Sequence, residues 1–225
     1  MADSAYWRTA DYRPVIETLA PESLVRYLPR GGRVLEVGCG TGTCAQYLVD
    51  RQFAIVGIDV NERSVRMAKE TVASGDFILG DMLVAPPLRL VPAFDAVVLI
   101  RVLTCFAAMT DRREILANAR AVLKPHGYLY VRDFLVSSSY MARYQAGQAK
   151  GYEAGNFDVI DKRTGESFVA HHHTEPETRM LFSGYSRVHW REDESRSLHG
   201  NPCTLFEFIG ARRDSGYASG FANKD

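Results

Sequence analysis

The sequence has no net charge and no long apolar run. Its 225 residues carry 27 Lys+Arg and 27 Asp+Glu, a balance that argues against a broad non-specific hold on nucleic acid or acidic lipid. No stretch reaches the apolar length of a membrane span. Met1 to Arg8 shows no apolar core of the signal-peptide kind. Both absences predict a soluble, cytoplasmic protein. The four cysteines, Cys39, Cys44, Cys105 and Cys203, form no C-x-x-C and no paired spacing. That sets aside a zinc cage or a disulfide framework and leaves reduced thiols. There is no G-x-G-x-x-G, so the dinucleotide fingerprint is missing. No internal repeat and no second domain stand out. One domain is expected over 1–213, followed by a small, polar, disordered tail over 214–225.

The richest stretch runs from Arg33 to Thr43, RVLEVGCGTGT. Val34, Leu35 and Val37 read as a buried strand. The glycines then turn the chain into a helix from Cys44, which presents backbone N–H groups and a helix N-terminus to a ligand. The spacing is G-x-G-x-G, and Glu36 stands two places before the first glycine. A carboxylate there suits a positively charged ligand better than a pyrophosphate. Further on, Phe53–Ile58 is a continuous apolar run of the central-strand type. It ends at Asp59, placed to accept ribose hydroxyls, and Asn61 is suited to cap the next helix, 62–73. Phe77–Leu79 and Phe94–Ile100 read as the third and fourth strands. Thr110 or Asp111 is expected to cap a helix carrying Ile115, Leu116, Ala119 and Leu123, and Tyr128–Val131 is the fifth strand. Pro14 and Pro21 start an N-terminal helical stretch through Val15, Ile16 and Leu19 and then Leu24, Val25 and Leu28, while Ala85-Pro86-Pro87 and Val91-Pro92 break the chain. This βαβ alternation predicts an α/β fold with a parallel sheet and helices on both faces.

After the fifth strand the period changes. Tyr140 to Gly155 reads as irregular, and Asn156–Ile160 and Ser167–His171 read as a hairpin. This insertion, about 137–173, is expected to cap the carboxyl end of the sheet. Thr174-Glu175-Pro176-Glu177 is a capping-box helix start. Tyr185–Trp190 and Thr204–Gly210 read as a final antiparallel pair.

Glu36 through Gly42 resembles motif I of the class I methyltransferases, which bind S-adenosylmethionine. The resemblance implies a Rossmann-like, seven-stranded methyltransferase sheet. It also implies a cofactor site built from Glu36, Gly38, Cys39, Gly40, Gly42, Asp59, Val60, Asp81, Met82 and Ile100, with Asp81 at the adenine amino group and Met82 on the adenine face. The aromatic start, Tyr6 and Trp7, reads either as a helix packed on the sheet edge or as a lid. Arg101 reads as an anion-binding group on the acceptor side, an acid-paired residue or a solvated arginine. Motif I, Val97–Leu103, Val131-Arg132-Asp133-Phe134 and the segment from Met141-Ala142-Arg143-Tyr144 to Thr174 together resemble a narrower group, the tRNA 3-methylcytidine methyltransferases. Two departures point away from RNA. Only about thirty residues precede the first strand, and residues 132–225 hold 12 Lys+Arg against 13 Asp+Glu with no basic cluster.

Methyl transfer is an in-line displacement that mainly needs alignment and exclusion of water. Asp133 is the first choice of base, with a structural bond to Arg132 or Arg143 as the other reading. Tyr144 and His171 complete the expected catalytic set. Tyr6, Trp7, Arg101, Phe134, Tyr140 and Arg143 are expected to hold the acceptor. In His171-His172-His173 at most two side chains share one side of a strand. No carboxylate pattern lies nearby, so no metal is assigned. No Asn-Pro-Pro-aromatic segment follows the fourth strand, which argues against methylation of exocyclic amines of DNA or glutamine. The expected function is methyl transfer from S-adenosylmethionine to a small-molecule acceptor, with a tRNA base as the alternative. The sequence carries no signal for oligomeric state.

Overall fold

The computed structural model describes residues 3–10, 20–84, 93–161, 164–197 and 201–213. The helix expected through 14–19, the break at 85–92, the hairpin tip at 162–163 and the tail at 214–225 lie outside the described residues. Two short helices, α1 (Asp3–Thr9) and α2 (Glu22–Val25), come first. Then β1 (Arg33–Val37), α3 (Thr43–Val49), β2 (Ala54–Asp59), α4 (Glu62–Thr71), β3 (Asp76–Leu79), β4 (Phe94–Ile100), α5 (Met109–Val122) and β5 (Leu123–Leu135) alternate. The cap consists of α6 (Met141–Ala149), β6 (Asn156–Ile160) and β7 (Ser167–His171), and α7 (Glu175–Leu181), β8 (Tyr185–Arg196) and β9 (Pro202–Arg212) complete the chain. Seven strands form one sheet in the order β3-β2-β1-β4-β5-β9-β8, and β6 pairs with β7 in a separate ribbon. Strands β1 to β5 are parallel, and β9 runs antiparallel to both of its neighbours.

The central strands are apolar throughout because both faces are covered. Leu35 sits between Val56 and Val97 in register. One face packs Val37, Ile58 and Leu99 against Ile115, Leu116 and Ala119 of α5 and Leu181 of α7. The other packs Val34 and Ile55 against Leu48 of α3, Ala68 of α4 and Leu24 of α2. Glu207 is buried on this side, where it accepts bonds from Ser23 Oγ at 2.6 Å and Tyr130 Oη at 2.7 Å. Asp95, at the start of β4, accepts the Arg33 amide at 2.8 Å and pairs with Lys124. Those bonds tie two strand starts together.

Caps follow local chemistry in two cases and tertiary contact in a third. Asn61 Oδ1 accepts the Ser64 amide at 3.1 Å and so caps α4. Thr174 and Glu177 close the expected capping box on α7. α5, by contrast, starts at Met109, before Thr110 and Asp111, and has no side-chain cap of its own. Glu153, from the α6–β6 connection, takes the Met109 amide at 3.2 Å. The helix α6 replaces the irregular stretch that the sequence suggests. It buries only Tyr144 and Gly147, so it carries almost no helical period. β8 and β9 run longer than read, because the outer half of this edge hairpin is polar and shows no apolar alternation.

Gly57 lies where β2 passes under the glycine turn. A Cβ there would stand 2.5 Å from the Phe77 ring and 2.9 Å from Cys39 Cβ. Gly57→Ala should therefore overpack the sheet and cost about 1–3 kcal/mol. That corresponds to roughly 2–10 °C in Tm by calorimetry. An unchanged Tm would mean that the Phe77 ring moves aside freely.

Candidate active site

The parallel strands end on one side of the sheet, and there the chain encloses a cavity of about 260 Å³. Its floor is the β1–α3 turn. Gly38 has φ +67°, and a Cβ on it would lie 2.7 Å from Val102 Cγ2, so only glycine fits. The turn's amides are satisfied internally. Gly38 and Cys39 donate to Ile58 O at 2.8 and 3.1 Å, Gly42 donates to Cys39 O, and Gly40 donates to Asp59 Oδ2 at 2.8 Å. Few donors remain for a phosphate. Asp59 Oδ1 accepts the Asn61 amide at 2.9 Å, so this carboxylate braces the turn and also lines the cavity.

Glu36 is the unusual group. It is 4% exposed, and its Oε2 has no hydrogen-bond partner among the described residues. Burial pushes its carboxyl up to about 8. Burial also raises Asp59, against the pull of its backbone bonds. Two under-satisfied acids on one wall suit a ligand that brings a cation and hydroxyl donors.

The helix α1 lies between the cofactor-side strands and the cap. Asn61 Nδ2 donates to Trp7 O and Ala10 O at 3.1 and 3.0 Å, and Arg8 pairs with Asp81 at 2.7 Å. Tyr6 stacks on Phe168 of β7 at 4.4 Å and donates to Asp161 at 3.1 Å. Trp7 and Ala10 line the cavity, which favours the lid over the sheet-edge helix. Trp7 Nε1 is buried and without a hydrogen-bond partner among the described residues.

The opposite wall follows β4. Arg101, Val102, Thr104, Cys105 and Phe106 line it together with Phe134. Arg101 has φ +56°, and its guanidinium stands 5.3 Å from the Phe134 ring centre. This wall is fixed from behind. Thr104 N donates to Asp133 Oδ2 at 3.1 Å, and Thr104 Oγ1 to His171 O at 2.6 Å. Arg112, 1% exposed, donates to Phe106 O and Ala107 O at 2.6 and 2.8 Å.

Of the expected cofactor set, Glu36, Gly38, Cys39, Gly40, Asp59, Val60, Asp81, Met82 and Ile100 all line the cavity. Gly42 does not. At φ +87° it sits against Ala68 and sets the start of α3. Of the acceptor set, Trp7, Arg101 and Phe134 line the cavity. Tyr140 instead packs in the cap core with Phe157, Arg143 stands over the outer side of the Tyr140 ring, and Tyr6 meets the cap hairpin.

The structure places the three residues of the expected catalytic set away from the cavity lining. Asp133 is fully buried, holds the Phe134 and Thr104 amides and does not line the cavity. His171 is fully buried between Asn156 and Glu177, and burial pushes it down to about 4. Tyr144 Oη lies 2.8 Å from His172 Nδ1 inside the cap core. All three stand behind the wall. Sequence reasoning also missed Asn61, Tyr47, Thr104, Cys105 and Phe106 as lining residues. The rule that ligands meet the carboxyl ends of strands could have found the last three.

Residues 34–127 match the family profile of a methyltransferase domain. In solved structures, the chain is similar to a SAM-dependent methyltransferase from Methanosarcina mazei. That match has 27% identity and a TM-score of 0.78 and covers 86% of this chain and 98% of that one. Over residues 34–127 the chain is similar to a methyltransferase domain, and its seven-stranded sheet has the fold of S-adenosylmethionine-dependent methyltransferases. Among curated proteins, it is 32% identical over 105 residues to the demethylmenaquinone methyltransferase of Thermotoga maritima, covering 46% of this chain and 44% of that protein. It is 28% identical over 179 residues to the 27-O-demethylrifamycin SV methyltransferase of Amycolatopsis mediterranei, covering 75% and 63%. The chain thus spans less than two thirds of either curated relative.

Glu36 titrating near 8 must lose a proton before it can pair with a cationic ligand. Affinity for S-adenosylhomocysteine should therefore rise with pH below that value. The limit is about tenfold per unit for one displaced proton. Glu36→Gln should bind more weakly with no such slope. A flat calorimetric profile for the native protein would remove Glu36 from the contact. The chain has two tryptophans, and Trp190 is stacked on Phe206 at 5.2 Å. In a Trp190→Phe background the same ligand should therefore change the emission of Trp7. Unchanged emission would take Trp7 off the cavity wall.

Proposed function

We propose that the protein transfers a methyl group from S-adenosylmethionine to a small-molecule acceptor, a metabolite or natural product. The observation that carries this reading is the cavity itself. It lies over the motif I turn, is walled by Trp7, Phe106, Phe134 and Ile115, and has α1 across it. A space of that kind suits a compact apolar ligand better than a polynucleotide. Among its described lining residues Arg101 is the single Lys or Arg, whereas phosphate backbones need several. The two curated relatives described above are named for quinone and natural-product acceptors.

The cofactor, when bound, supplies a methyl group made electrophilic by its sulfonium. Glu36 would hold the positive end, and the free lone pairs of Asp59 the ribose hydroxyls. Asp81 and Met82 would flank the adenine. Trp7 and Phe134 would provide aromatic walls for a cationic centre and exclude water. Arg101 would meet an anionic group on the acceptor.

Beyond the acids on the cofactor side, the lining contains no carboxylate and no histidine among the described residues. The acceptor would thus present a nucleophile that needs no protein base. The second reading, an RNA base, draws on the tRNA-type resemblance and on relatives named for ribosomal RNA methylation, which match 22% and 30% of this chain.

Asp59→Ala should weaken S-adenosylhomocysteine binding by about 1–3 kcal/mol, read by calorimetry. Unchanged affinity would reject the assignment. Radioactive methyl from the cofactor should pass into the small-molecule fraction of a cell extract. Label in the tRNA fraction instead would establish the second reading.

A further inference from the structure

Behind the acceptor wall, three metal-ligating side chains meet in a fully enclosed space. We propose that His171, His173 and Glu177 bind one divalent transition-metal ion, with zinc the best match to two imidazoles and a carboxylate. His171 and His173 are alternate residues of an extended segment and share one side. Glu177, in the first turn of α7, is turned back toward them by its capping box. It is the carboxylate whose apparent lack led the sequence reading to set a metal aside. Both histidines are fully buried, and Glu177 is 7% exposed. Their donor atoms lie within 4.8 Å of one another. His171 Nε2 is 2.9 Å from Glu177 Oε2, and His173 Nδ1 is 3.2 Å from Oε1. Donors around tetrahedral zinc, at bond lengths near 2.0–2.1 Å, stand about 3.3 Å apart. The two contacts to Glu177 are close to that spacing, and binding would draw the remaining donors, within 4.8 Å of one another, together.

Hydrogen-bond polarity provides the second, independent argument. Asn156 Nδ2 donates to Ala107 O at 2.9 Å, which turns Asn156 Oδ1 toward His171 Nδ1, 2.7 Å away. An oxygen acceptor at that distance puts the ring proton on Nδ1. The lone pair of Nε2 then faces the carboxylate of Glu177. Two acceptors 2.9 Å apart repel each other unless a proton or a metal ion joins them. His173 also turns one ring nitrogen, Nδ1, toward Glu177, with no acceptor among the described residues at hydrogen-bond distance on its other side. Its Nε2 lies 4.0 Å from Asp133 Oδ2. A histidine that turns one nitrogen to a metal and the other to an oxygen, as His171 would, is the usual outer-shell arrangement.

Arg112 Nε is 2.9 Å from Glu177 Oε1 but does not replace the ion. The same guanidinium is tied to two backbone carbonyls and to Glu153, and it leaves Oε2 facing His171. The ion would join the end of the cap hairpin to α7. Through the bond from Thr104 Oγ1 to His171 O, it would also stiffen the acceptor wall. This site is separate from the proposed methyl transfer, and its test needs no acceptor.

Elemental analysis of protein purified without a metal-affinity step should give about one zinc per chain. A strong chelator should lower Tm, and zinc should restore it where magnesium does not. Cobalt substitution should give the visible bands of a low-coordinate nitrogen–oxygen site. Glu177→Gln and His173→Phe should each cut metal content by about tenfold or more, with the helical circular dichroism retained. Metal-free protein whose Tm ignores both chelator and zinc would overturn the proposal, because a proton on His171 would then occupy the place of the ion. Full metal content in both variants would overturn it as well. If neither variant folds, the metal content and cobalt spectrum of the native chain decide.

Discussion

The acceptor side of the cavity depends on one buried guanidinium. Arg112 reaches back from the first turn of α5 and holds the carbonyls of Phe106 and Ala107, the carboxylate of Glu177 and that of Glu153. Those four partners come from the loop after β4, from α7 and from the cap. Removing Arg112 would take a buried cation from Glu177 and leave the Phe106 and Ala107 carbonyls without their donor, a loss of about 3–5 kcal/mol. The guanidinium therefore does more than stabilise. It holds the loop after β4, which lines the cavity, against α7 and the cap.

The cofactor side is organised by the opposite sign. Asp59 ties the glycine turn to the end of β2 through two backbone amides. Gly38, Cys39, Gly40 and Gly42 give their amides to Ile58 O, Asp59 and Cys39 O, so the cavity floor has few donors for an anion. Glu36 completes that polarity. An acid kept from water beside a second acid is a poor environment for a phosphate and a good one for an ammonium or sulfonium ion. The same G-x-G spacing that excludes a dinucleotide in the sequence is expressed in the structure as a loop with few amides to give.

What was legible in the sequence follows from where the deciding contacts lie. The central strands, the glycine turn, the Asn61 cap and the Thr174 capping box are local in origin, and period or spacing reveals them. Helix α6 was hidden because its exposed side is mixed and its buried side is two residues wide. The start of α5 was misplaced because its cap comes from Glu153, 44 residues away. Asp133, His171 and Tyr144 have the chemistry of catalysts, and sequence alone could not tell a strand end that faces a cavity from one that faces a packed cap. Their burial comes from the return of β7 against β5, where His173 N bonds Phe134 O at 2.9 Å. That contact has no local signature.

Helix α1 is bonded at one end to Asn61 and Asp81 and at the other to Asp161 and Phe168. It thus spans the donor compartment and the acceptor compartment with a single rigid piece. A shift of that one short helix would therefore disturb the Asn61 side of the cavity and the cap hairpin together.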